Sequence, residues 1–123
     1  MSIARLSLTA LDCPDPKALA EFYAAITGWP IENQDPEGEE WVQLRSDGGA
    51  TLAFQRVIGH LAPTWPTGVR PQQLHVDFDV PDLDVAEAQI LALGARKADH
   101  QPGTTFRVYL DPAGHPFCLV LAS

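Results

Sequence analysis

The sequence is short of cysteine, of basic residues and of long apolar runs. Two cysteines, Cys13 and Cys118, occur among 123 residues, each inside strand-like apolar sequence. Two such thiols supply no disulfide framework, so reduced cysteines are expected. Lysine and arginine number 8 against 16 acidic residues, a formal charge of −8, which argues against holding a polyanion such as nucleic acid in a general basic field. The acidic residues are dispersed apart from Asp35, Glu37, Glu39 and Glu40, a group read as solvated surface. No apolar run approaches the ~20 residues of a membrane span, and Met1 to Arg5 show none of the segments of a secretion signal. A soluble cytoplasmic protein is expected, with neither membrane nor nucleic acid as partner.

What the chain does have is a repeat. Leu8-Thr9-Ala10-Leu11-Asp12-Cys13-Pro14-Asp15 returns 67 positions on as His75-Val76-Asp77-Phe78-Asp79-Val80-Pro81-Asp82, each copy a strand running into a helix start. Asp15 before Pro16 supplies an N-cap and a first-turn proline. Leu19, Phe22, Tyr23 and Ile26 then form one apolar stripe ending at Gly28. In the second copy Asp82 is the cap, Leu83, Ala86, Ile90 and Leu93 the stripe, and Gly94 the stop. The first strand reads as Ile3 to Cys13. Strand candidates follow at 30–32, 40–45 and 50–57, and again at 96–98, 105–110 and 116–121, with turns at Ser46-Asp47-Gly48-Gly49 and Asp111-Pro112-Ala113-Gly114. The order is β-α-β-β-β, twice.

At 46% hydrophobic residues the chain can form one domain burying roughly two-thirds of its unfolded surface. Residues 1–57 make module one and 74–123 module two. The proline-rich segment 58–73 is read as a crossover linker, since one helix per unit leaves one sheet face uncovered. The expected class is α+β, with the two modules forming a curved mixed sheet around a cavity.

Alternation assigns the faces. Val76, Phe78 and Val80 face the helix, leaving His75, Asp77 and Asp79 opposite, where polar groups need water, a ligand or each other. The equivalent positions in module one are Leu8, Ala10 and Asp12, so Cys13 packs under the helix as a small hydrophobe. In the last strand Phe117, Leu119 and Leu121 share one face and Pro116, Cys118 and Val120 the other. Aligning Gly114 with Gly49 makes Ala53 the counterpart of Cys118 and Gln55 that of Val120.

The duplicated unit, Phe22-Tyr23 ahead of Gly28-Trp29, the His75 to Val80 segment and Asp111-Pro112-Ala113-Gly114-His115-Pro116-Phe117-Cys118 together resemble the vicinal-oxygen-chelate superfamily, and within it the glyoxalase-like domains grouped with bleomycin-resistance proteins. The resemblance implies the glyoxalase/bleomycin-resistance fold. It leaves function open, since that superfamily holds lyases, isomerases, dioxygenases, thiol transferases and non-catalytic binders. In metal-dependent members it implies ligands on the first and last strand of each unit, commonly histidine or glutamine and glutamate. Those positions hold Leu8, Ala53, His75 and Cys118 here, and His75 alone matches. A transition-metal site needs about three protein ligands, so neither a metal nor another cofactor is expected.

The candidate ligand-binding residues are therefore His75, Asp77, Cys118, Gln55, Leu8 and Trp65, around a mostly apolar cavity between the modules suited to an aromatic or heterocyclic molecule. Trp65 reads either as a plug or dimer contact or as an aromatic wall. Arg56, Arg70 and Arg107 lie nearest the cavity edges, and His60, His100 and His115 are assigned to the surface. His75 and Cys118 raise the idea of an imidazole-activated thiolate, for which the sequence supplies no oxyanion hole. The alternative to a binding protein is a metal-dependent lyase, isomerase or dioxygenase. The resemblance also implies a homodimer.

Overall fold

Both helices start where an aspartate can cap them. In the computed structural model, which describes residues 2–37 and 39–122, the Asp15 carboxylate accepts the Ala18 N–H at 3.2 Å and Asp82 accepts that of Val85 at 3.0 Å. Such a cap contributes about 1 kcal/mol. From these caps run α1 (Pro16–Thr27) and α2 (Leu83–Ala92). Gly28 ends α1 at φ +76°, a left-handed conformation that favours glycine, and its N–H closes on Ala24 O. α2 stops one residue before its expected end. Leu93 is its C-cap and is exposed rather than on the buried stripe, because the last turn has already given way to Gly94 at φ +109°.

The remaining elements are β1 (Leu8–Cys13), β2 (Ile31–Gln34), β3 (Trp41–Leu44) and β4 (Thr51–Arg56), then β5 (Val76–Val80), β6 (Arg96–Lys97), β7 (Phe106–Leu110) and β8 (Pro116–Leu121). β1 begins at Leu8 rather than Ile3, since Leu8 is the first residue with a ladder partner, Thr51; Ile3 and Leu6 are exposed.

The strands form two four-stranded mixed sheets, ordered β1-β4-β3-β2 and β5-β8-β7-β6, one for each β-α-β-β-β unit of the expected α+β fold. Each unit completes its own ladder: the helix carries the chain across to a parallel pairing, β1 with β4 and β5 with β8, and antiparallel neighbours fill in the rest. Alternation in sequence specifies the faces of a strand but not the strand it joins. The chain accordingly divides into two compact units, the first ending at His60 and the second starting at Leu61. The stretch read as a linker thus belongs largely to the second unit, where Thr64 bridges Pro71 and donates its N–H to Arg70 O at 2.8 Å.

Within unit one, Leu19, Phe22 and Tyr23 bury against a sheet face that includes Val42, Leu44 and Phe54, and Tyr23 stacks on Phe54 at 5.6 Å. Cys13 is fully buried, as a small hydrophobe should be. In unit two, Leu83, Ala86 and Ile90 are buried, as are Phe117, Leu119 and Tyr109, whose ring lies 5.8 Å from that of Phe117. Burying each such large side chain is worth roughly 1.5–3 kcal/mol.

Polar groups secure the loops. Asp35 is an anchor rather than plain acidic surface: its carboxylate accepts the N–H groups of Glu39, Glu40 and Trp41, the last at 2.8 Å. The Trp41 bond foremost holds its pKa below the usual carboxylate range. The Asp111 carboxylate, 2% exposed, accepts the N–H groups of Ala113 and His115 and closes the turn into β8. Gly114 in that turn has φ +93°, and a Cβ there would lie 2.5 Å from Ala62 Cβ, so glycine admits the start of the 61–73 segment.

Candidate ligand-binding site

On β8 the face opposite Phe117 and Leu119 carries Pro116, Cys118 and Val120, and in unit two this face lines a cavity of about 410 Å³. β7 adds Phe106 and Val108 by the same alternation. Arg107 and Tyr109, on the other face, turn to α2: Tyr109 Oη donates to Glu87 Oε1 at 2.8 Å, and Arg107 reaches Asp84 at 2.8 Å. Lys97 also meets Glu87, at 3.0 Å, and this bond is the main reason the Glu87 carboxyl titrates below its usual range. α2 and β7 are thereby tied together, and Phe106 and Val108 are held toward the cavity.

The loop from β6 to β7 forms a further wall through Pro102. Gln101 clamps it, its Nε2 donating to Ala98 O at 2.9 Å and Val108 O at 2.7 Å while its Oε1 accepts the Val108 N–H at 2.9 Å. Gly103 is required beside it, since a Cβ at that position would run into the Phe106 ring. The 61–73 segment supplies the remaining wall with Trp65 and Gln72. Its two arms are joined by the Thr64–Pro71 bridge and by the Gln72 N–H bonded to Thr64 O at 3.3 Å.

One corner is polar. His75 Nε2 lies 3.2 Å from Asp77 Oδ1, and Asp77 pairs with Cys118 across the β5–β8 ladder. Donor atoms of all three lie within 4.8 Å of one another. Both members of the His75–Asp77 pair are about half exposed, so it adds little to stability. Burial, and next the charge and hydrogen bond of Asp77, push the Cys118 thiol up to about 11. The thiol is therefore neutral near pH 7, and an imidazole-activated thiolate has no support.

Of the six residues the sequence pointed to, Trp65, His75, Asp77 and Cys118 line this one cavity. Leu8 and Gln55 stand on β1 and β4 of unit one, where Gln55 is opposite Asp12, and neither lines it. No arginine does either: Arg56 pairs with Glu40 at 3.0 Å, Arg70 Nε donates to Ala62 O at 3.3 Å, and Arg107 serves α2. Gln72 was missed because its segment reads as a connection. Phe106 and Val108 were recoverable, since they alternate with two polar neighbours on a strand the sequence did locate.

Residues 9–120 match the glyoxalase-like domain. The chain belongs to the glyoxalase-like domain family. Among solved structures, a glyoxalase/bleomycin resistance protein/dioxygenase family enzyme from Burkholderia phytofirmans PsJN is 19% identical, with 94% of this chain and 97% of that one covered at a TM-score of 0.70. A glyoxalase-related enzyme from Fulvimarina pelagi is 20% identical over 98% and 89%, TM-score 0.68. A lactoylglutathione lyase from Agrobacterium tumefaciens is 18% identical over 99% and 96%, TM-score 0.64. At these identities the likeness is one of fold, in keeping with the vicinal-oxygen-chelate superfamily. No curated protein matches the chain.

In this glyoxalase-like protein the metal positions implied by that superfamily are in register. Ala10 pairs with Ala53 as Asp77 pairs with Cys118, so Ala53 and Cys118 do correspond. Leu8 and Ala53 offer no donor atom, and the four-ligand arrangement does not fit this chain. What the position-by-position comparison left out is Asp77, a third donor beside His75 and Cys118 within a single unit. No helix among the described residues is long and apolar enough to cross a membrane.

Proposed function

We propose that this glyoxalase-like protein binds a small, planar, largely apolar organic molecule, aromatic or heterocyclic, in the unit-two cavity. The observation that carries the proposal is the cavity itself. At about 410 Å³ it falls in the range of small-molecule sites, and Phe106, Val108, Pro116 and Val120 give it apolar walls around the polar corner of His75, Asp77 and Cys118. Trp65 acts as an aromatic wall for the ring of the ligand. A thermal-shift screen of aromatic metabolites and antibiotics tests this: a ligand at 100 times its dissociation constant adds about 2.7 kcal/mol, and the same ligand should lose its effect on Val108→Trp, which fills the cavity. A complete screen without a shift would refute the proposal.

A second reading, a metal-dependent lyase, isomerase or dioxygenase, is favoured by the meeting of His75, Asp77 and Cys118. Imidazole, carboxylate and thiolate suit zinc, which supplies a Lewis acid when bound. The raised thiol pKa means that an ion must displace a proton, so affinity would rise with pH. Cobalt(II) titration decides it, through a thiolate charge-transfer band that Cys118→Ser removes. Absence of the band overturns this reading.

We further propose a cytoplasmic homodimer. β1 and β5 each stand at the edge of their own sheet, and sheet edges invite pairing. Light scattering that returns the 13.4 kDa of one chain would refute it.

A further inference from the structure

Charge in the unit-two cavity is one-sided. Asp77 carries the single permanent charge among the described residues that line it, and no arginine or lysine is there to balance it. Asp77 stands directly beside Cys118 across the parallel ladder, so both side chains project from the sheet face that forms the cavity wall. The Asp77 side chain is 54% exposed, which leaves its carboxylate within reach of a molecule lying there. Two groups already meet that carboxylate, His75 Nε2 at 3.2 Å and the Cys118 thiol. A thiol, and an imidazole in its neutral form, contribute hydrogen bonds and no countercharge. A carboxylate has about four acceptor sites, so these two donors leave part of it free.

The rest of the wall suits a cation as well. Trp65 and Phe106 are aromatic members of it, and the faces of such rings attract cations. A site of this composition sorts ligands by charge. An ammonium group gains a charge-assisted hydrogen bond to Asp77, whereas a neutral group gains at most an ordinary one. An anion meets like charge with no cation to offset it.

We infer that the cavity selects an aromatic ligand bearing a basic amine, whose ammonium group pairs with the Asp77 carboxylate while its ring lies against the apolar wall. This inference rests on the cavity being the ligand site, and it names the chemical class of that ligand. It also separates the two uses of the polar corner, because an ammonium group and a metal ion would compete for Asp77.

The test uses three probes that share an indole ring and a short side chain: tryptamine, a cation, 3-propylindole, which is neutral, and indole-3-propionate, an anion. Calorimetric titration of the whole protein is run with EDTA, which keeps metal ions out of the corner, at about pH 8, where an imidazole is normally uncharged. Tryptamine should bind at least about tenfold more tightly than 3-propylindole, a gap of about 1.4 kcal/mol, and the propionate most weakly. Asp77→Asn, which keeps the shape of the side chain, should shrink the gap to about threefold or less while 3-propylindole binds as before. Asp79→Asn removes the same charge from a residue that does not line the cavity and should leave the gap unchanged. Equal binding of the three probes to the unaltered protein, or tightest binding of the propionate, overturns the inference and leaves the cavity proposal intact. A gap that survives Asp77→Asn, or that Asp79→Asn reduces equally, overturns it too, by tracing the preference to the acidic chain as a whole. If no probe binds, the thermal-shift screen decides: hits confined to molecules without a basic amine overturn the inference alone, and an empty screen overturns the cavity proposal with it.

Discussion

Unit one and unit two run through the same elements in the same order, yet the faces away from their helices differ. In unit one, β1 and β4 place Leu8, Ala10 and Ala53 there. In unit two, β5 and β8 with the residue preceding β5 place His75, Asp77 and Cys118 at the matching positions. The helix-facing sides keep one character, with Phe54 and Phe117 both fully buried. The turns diverge in the same way as the open faces. Ser46 closes the first with an exposed hydroxyl bonded to Gly49 O at 2.8 Å, whereas Asp111 closes the second with a buried carboxylate. The lesson is that a helix-facing surface need only be apolar and of suitable volume to maintain the architecture. The other face is free to differ, and in this protein it differs in chemistry.

The largest expected effect bears on the shared part of the comparison. Phe117→Ala and Phe54→Ala should each cost about 3–5 kcal/mol in urea unfolding followed by tryptophan fluorescence. A loss below about 1 kcal/mol in one of them would break the equivalence of the two cores. A smaller effect separates the turns: Asp111→Ala should cost about 1–3 kcal/mol, since it strands two N–H groups, and Ser46→Ala should stay within about 0.5 kcal/mol. Equal costs would mean that burial of the carboxylate is irrelevant.

The smallest effect concerns the thiols. Cys118 titrates near 11, above the 9.0 of a free thiol, so the folded protein holds that proton more tightly than the unfolded chain does. Its contribution to stability is therefore intact below pH 9 and is lost as pH rises toward 11. The difference in stability between parent and Cys118→Ala should be constant below that window and change within it. Iodoacetamide at pH 7 should label Cys118 no faster than glutathione, and Cys13 only on unfolding. Rapid labelling of Cys118 would reopen the thiolate hypothesis.

Much of this was legible in the sequence because it depends on local periods. The caps Asp15 and Asp82, the alternation of β5 and β8, the offset between the copies and the turn glycines located the helices, the faces and three members of the polar corner. Trp65 was singled out without its role being fixed. What escaped depends on partners distant in the chain. Alternation could not say that β1 would pair with β4 and β5 with β8, nor that Arg107 would turn toward Asp84 and Glu87 on α2. Residues 61–73 carry prolines and glycines like any connection, so nothing local marked Gln72 as part of a wall.

The sequence by itself determined the duplicated β-α-β-β-β plan and the mismatch of Leu8 with His75, because strand and helix periods are written in neighbouring residues. Tertiary structure alone decided that Asp77 comes to the Cys118 thiol, and that Trp65 and Gln72 line the same cavity as that corner. Those meetings are set by ladder register and by the fold of the 61–73 segment, which join residues that the chain keeps apart.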